Sequence, residues 1–179
     1  MPTHPFTEHD LLAGRYRVVR FVAAGVYEAD DLETNERVAV KVVREDVRAH
    51  DVVHPNVARV FGAGEHDGTR FVVMELLRGT TLARHLRERT QLSTANALPI
   101  VQQVCEGLAA AHRAGVVHGE LTSESIVLAD GRVVVTDFGF RGGGVVAAAY
   151  AAPEQRPSQA ADIYALGVIL FEMVTGARP

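Results

Sequence analysis

The chain has 179 residues, a formal net charge of −4 and 47% hydrophobic residues, which is enough apolar material for one globular domain with a core and does not suit a disordered chain. The acidic balance and the lack of a dense Lys/Arg block argue against nucleic acid as a partner. With a single cysteine, Cys105, there is no intrachain disulfide, and the start of the chain, Met1 to Asp10, has neither the basic nor the apolar part of a signal peptide, so a cytoplasmic location is expected.

Three β-branched runs between Tyr16 and Val43, broken at Ala23-Ala24-Gly25 and at Glu33-Thr34-Asn35, predict an antiparallel meander. Two further runs, Val57 to Phe61 and Arg70 to Glu75, divided by Gly62, Gly64 and Gly68, complete a predicted sheet of about five strands. The period then changes. Leu98, Val101, Val104, Cys105, Leu108 and His112 recur at helical spacing until Gly115, which predicts an amphipathic helix with Cys105 in the core. Ser125 to Asp130 and Arg132 to Thr136 read as a short strand pair around Asp130-Gly131. The last element, Ala160 to Thr175, is apolar on nearly every side and is expected to be a helix buried all round. Its apolar part is too short for a bilayer and is interrupted by Glu172, so no membrane segment is expected.

Four strings carry chemistry, in one order: Val38-Ala39-Val40-Lys41 on a predicted strand, His118-Gly119-Glu120-Leu121 after the long helix, Asp137-Phe138-Gly139 after a strand, and Ala152-Pro153-Glu154. Each alone is weak. Together, in this order and context, they match the protein-kinase signature set. With His54-Pro55-Asn56, Met74-Glu75-Leu76-Leu77 and the run from Asp162 to Gly167, the chain resembles a bacterial serine/threonine protein kinase from about Arg15 to Pro179. The resemblance implies an α+β, two-lobed fold: a small antiparallel-sheet lobe over residues 1–74 and a mainly helical lobe over 75–179. It also implies ATP and magnesium as cofactors. Val26, Ala39 and Val127 would sandwich the purine, the Glu75 carbonyl and Leu77 amide would pair with its edge, Lys41 would reach the phosphates, and Asp137 would hold a metal.

Several positions depart from that pattern. Phosphoryl transfer is mostly positioning and charge stabilisation, and the glycine-rich loop that should cover the phosphates is shortened to Val22-Ala23-Ala24-Gly25. Glu45 is the candidate partner of Lys41, yet a strand end, a turn and a helix start must fit between them. Glu120 stands where the catalytic base is an aspartate, and its extra methylene shifts the carboxylate by about an ångström, a misplacement that can cost on the order of a hundredfold. Thr122 replaces a lysine, and Ser125 replaces the asparagine that would ligate a second magnesium. Gly119 removes the arginine that receives an activation-loop phosphate, and between Phe140 and Ala151 the one hydroxyl is that of Tyr150. The expected function is a pseudokinase that binds ATP weakly and acts through protein contacts in signalling. The alternatives are a weak kinase with Glu120 as base, and a decayed fragment without activity. The resembled family continues with further helices packed around the one that ends here near Pro179. A protein partner, or self-association, is therefore expected on the Asp162–Thr175 helix face.

Overall fold

The computed structural model describes residues 4–23, 25–44, 51–129, 131–139 and 148–179. Its meander is β2 (Tyr16–Ala23), β3 (Val26–Asp31) and β4 (Glu36–Val43), preceded by a two-residue strand β1 (Leu11–Leu12) that the sequence pattern did not reveal. With β5 (Val60–His66) and β6 (Thr69–Glu75) they form a six-stranded antiparallel sheet in the order β1-β2-β3-β4-β6-β5.

Strand β5 begins and ends later than predicted, because Gly62 and Gly64 lie within the strand and Gly64 is a packing residue, not a turn. A Cβ on Gly64 would lie 2.7 Å from the Phe71 ring, and the turn falls at Asp67-Gly68, both with positive φ. Val57, predicted to open this strand, instead makes an isolated bridge to Val135.

Directly paired residues point to the same face of a sheet, which sorts the strands into two surfaces. On one, Tyr27, Ala29, Val38, Val40, Phe71 and Val73 join Phe6, Leu12 and Val18 in a buried cluster. The other carries Val26 opposite Lys41, Lys41 opposite Val72, and Ala39 opposite Met74.

The chain divides into two compact units, Met1–Asp51 with Arg59–Leu77, and Val52–Ala58 with Arg78–Pro179. Residues 52–58 group with the later part for a local reason. The Asn56 side-chain amide donates to the Val133 carbonyl (2.7 Å) and to Gln103 (3.0 Å), and its own carbonyl accepts from the Val135 amide at 2.9 Å. Gly107 permits this approach, since a Cβ there would stand 2.6 Å from the Asn56 oxygen.

The second unit holds α1 (Leu82–Arg89), α2 (Thr94–Arg113), a sheet of β7 (Gly79–Thr81), β8 (Ile126–Ala129) and β9 (Arg132–Val135), and α3 (Gln159–Thr175). Helix α1 was missed because five of its eight side chains are polar; its signals are the Thr81 cap on the Arg84 amide and the buried Leu82, Ala83 and Leu86. Helix α2 starts at Thr94, capped by Ser93, and buries Ala97, Val104, Gly107, Leu108 and Ala111. The expected face was rotated: Leu98 is 56% exposed and Cys105 is exposed. Small residues line the contact because neighbouring backbone comes close, and large-residue periodicity does not report that. Helix α3 is also one-sided, burying Asp162, Ala165, Leu166, Val168, Ile169 and Met173 while Ile163, Tyr164 and Phe171 lie exposed. No helix among the described residues is long and apolar enough to cross a membrane.

Candidate functional site

In the first unit, the purine-wall candidates lie on one sheet face. Val26 opens β3, half-buried, in register with Lys41 of β4, and Ala39 (5% exposed) pairs with Met74 (6%). Glu75 closes β6 with its amide donating to the Arg59 carbonyl at 2.8 Å, and Leu77 follows, half-buried. Strand β2 ends at Ala23 and β3 begins at Val26, and these two residues are direct partners. Only two residues join them. The shortened loop read from the sequence is therefore a tight hairpin; Ala24 lies outside the described residues, as does Glu45.

The next residue on that face, Glu28, was not singled out from sequence. It is 4% exposed and held between Arg37 (2.5 Å) and Arg20 (2.7 Å). Burial pushes its carboxyl up, but the two guanidiniums outweigh this and leave it below the usual carboxylate range.

In the second unit, the strings His118 to Ser125 and Asp137 to Gly139 come together. His118 is 2% exposed, with its ring 4.9 Å from that of Phe138. Its Nε2 lies 2.9 Å from the Thr136 carbonyl, which can only accept, and its Nδ1 lies 3.3 Å from the Glu120 N–H, which can only donate. Nε2 therefore carries the hydrogen and the ring is neutral. Burial pushes its pKa down, against the pull of Asp162 and Asp137.

The anchor of this loop is Asp162, in the first turn of α3 and 1% exposed. Its carboxylate accepts the His118 and Gly119 amides, each at 2.9 Å, and the His112 Nε2 at 2.7 Å. The sequence motif placed Asp162 without giving it this role. Gly119 has φ +83°, and a Cβ there would meet Pro157 at 3.3 Å. Glycine thus relaxes a left-handed backbone position while deleting the phosphate-receiving arginine.

Glu120 is half-buried, with its amide tied to His118. Thr122 and Ser125 hydrogen-bond to each other through their hydroxyls at 3.3 Å, and Ser125 is 6% exposed. Glu124 binds Arg87 and the Thr81 hydroxyl, both at 2.9 Å, which ties the loop to α1. Ser123 donates to the Tyr150 oxygen (2.9 Å), and the Tyr150 hydroxyl donates to Glu172 (2.6 Å). Burial, with the Glu172 bond, pushes this phenol up to about 12.

Val127 lies half-buried on β8. Asp137 follows β9, half-buried, with φ +67°, a conformation that costs a non-glycine residue energy and is kept only where surroundings enforce it. The two metal-ligand candidates read from the sequence are Asp137, which offers a carboxylate, and Ser125, which offers a short neutral hydroxyl that also meets Thr122. The activation segment from Phe140 to Ala147 lies outside the described residues.

A curled antiparallel sheet, a buried histidine loop anchored on the first turn of α3, and an Asp-Phe-Gly turn define a protein-kinase fold. The chain belongs to the protein kinase domain family, whose model matches residues 22–179. It is 34% identical to a probable serine/threonine-protein kinase, pknA2, of Bifidobacterium longum, over 94% of this chain and 27% of that protein. PrkC of Bacillus subtilis is 30% identical, over 94% of this chain and 31% of its own length. PknA of Mycobacterium tuberculosis is 34% identical, over 94% and 48%. The chain thus spans between about a quarter and a half of these relatives. The alignment with pknA2 runs over 207 positions, more than the 179 residues here, so that relative carries residues inserted within the matched span. The crystal structure of the M. tuberculosis PknI kinase domain superposes with a TM-score of 0.86 at 26% identity, covering 97% of this chain and 77% of that one.

Proposed function

We propose that this domain is a pseudokinase: it binds an adenine nucleotide weakly, transfers phosphate little or not at all, and acts in bacterial signalling through contact with a protein. The observation that carries this reading is the direct pairing of Ala23 with Val26, which leaves no loop to cover phosphates. Replacement of the loop's lysine and asparagine by Thr122 and Ser125, bonded to each other, points the same way. Bound magnesium would bridge and neutralise phosphate oxygens, and Asp137 is the residue proposed to hold it. The reading includes a cytoplasmic location.

The test is transfer of labelled phosphate from ATP to the protein itself and to a generic basic protein. Transfer should be undetectable, or about a thousandfold below an active relative, a scale set by lost base placement and charge stabilisation. Restoring Glu120→Asp, Thr122→Lys and Ser125→Asn together should raise it only in part. Robust wild-type transfer, lost in Asp137→Ala, would put a second reading first: an active serine/threonine kinase with Glu120 as base. The pose of His118, Phe138 and Asp137 favours that alternative.

For the partner, the exposed face of α3 with Ile163, Tyr164 and Phe171 is proposed to meet a second copy of the chain. Leu170 packs against the core and is a poor probe. Phe171→Glu should convert a dimer to a monomer in light scattering over a concentration series, and a wild-type monomer throughout would remove self-association.

A further inference from the structure

We infer that the adenine site of this domain recognises the nucleoside and is nearly indifferent to phosphates, so that adenosine, ADP and ATP are equivalent ligands. The inference rests on the nucleotide-binding reading above and concerns which part of the nucleotide is held. Ala23 and Val26 are Cα partners across the β2–β3 hairpin, so the backbone extends past Val26 by a single turn. A strand advances about 3.3 Å per residue, and a turn of two residues stops well short of a chain of three phosphoryl groups.

Gly25, the described residue of that turn, is also tied down. The Gly25 carbonyl accepts the Val42 amide at 2.9 Å, and a Cβ built on Gly25 would lie 3.9 Å from that of Val42. Gly25 is thus bound back onto β4. Phosphate recognition by a glycine-rich loop needs successive backbone amides aimed at the oxygens, and this chain lacks the residues to present them. Lys41, in register with Val26, brings a point charge to the same end. A single half-buried lysine is a point charge and does not replace a cradle of successive backbone amides.

The purine side is different. Val26, Ala39, Val72 and Met74 share one face, and the last three are 5%, 0% and 6% exposed. Apolar walls and main-chain groups are what a purine needs. Nothing in that set depends on the number of phosphates attached.

Calorimetric titration of the full chain with adenosine, ADP and ATP, each with and without magnesium chloride, tests the inference, with guanosine as control. The three adenine ligands should bind within about tenfold of one another in both conditions, and guanosine should be weaker by more than about tenfold. ATP with magnesium binding more than about tenfold tighter than adenosine would overturn the inference while leaving the nucleotide site standing. No heat from any adenine ligand up to millimolar concentration would overturn the nucleotide-binding reading itself, and the inference with it.

Discussion

Replacing Asp162 by alanine removes one carboxylate and leaves three groups without their acceptor: the His118 and Gly119 amides and the His112 ring nitrogen. An unsatisfied buried backbone N–H costs about 1–3 kcal/mol. His118 is 2% exposed and cannot turn to water, whereas the Gly119 amide, on a half-buried residue, recovers part of its loss through solvent. The expected destabilisation is about 3–5 kcal/mol, in the range for breaking a buried charged cluster. Against a domain stability of about 5–15 kcal/mol that is a large share. Asp162→Asn keeps one acceptor oxygen and should lose about half as much. Urea unfolding followed by far-UV circular dichroism measures both, since the chain has no tryptophan. A shift in midpoint at unchanged slope is the expected form. If Asp162→Ala loses less than about 1 kcal/mol, Asp162 is not the anchor of the His118 loop, and the account of how that loop is held fails.

His118 sets a pH dependence. Its folded pKa is lowered while an unfolded histidine titrates near about 6.5, so the unfolded state takes up a proton first. Stability should therefore fall as pH drops below about 6.5, with a limiting slope of about 1.4 kcal/mol per pH unit, and His118→Asn should flatten the profile; urea midpoints from pH 7.5 to 5.5 in both proteins decide it. Gly119→Arg, which restores the family's side chain, should cost about 1–3 kcal/mol because the position has φ +83° and faces Pro157, and an unchanged thermal midpoint would contradict that. Ala39→Trp puts an indole on the face that Ala39 shares with Met74 and should weaken adenosine binding by more than about tenfold with an unchanged circular dichroism spectrum, whereas equal binding by variant and wild type would exclude this wall as the purine site.

The ordered strings around Lys41, His118, Asp137 and Pro153 were enough to identify the family, because each binds its chemistry to a fixed neighbour in sequence and the fold cannot reorder them. The shortness of the hairpin between Ala23 and Val26 was legible as well, since a hairpin cannot hold residues the chain does not have. What the chain order left open was decided by packing at a distance. Gly64 and Gly107 read as breaks or as nothing, yet they are glycine because the Phe71 ring and the Asn56 backbone occupy the space of a side chain. The buried face of α2 could not be read from large apolar residues when close backbone approach selected small ones. The role of Asp162 needs His112, Gly119 and His118, at least 43 positions away, to converge on one carboxylate, and local periodicity holds no record of such a meeting. The exposed side of α3 is the same lesson in reverse. Hydropathy sets how much apolar surface a helix carries, but only the tertiary structure determines which part of it finds a neighbour.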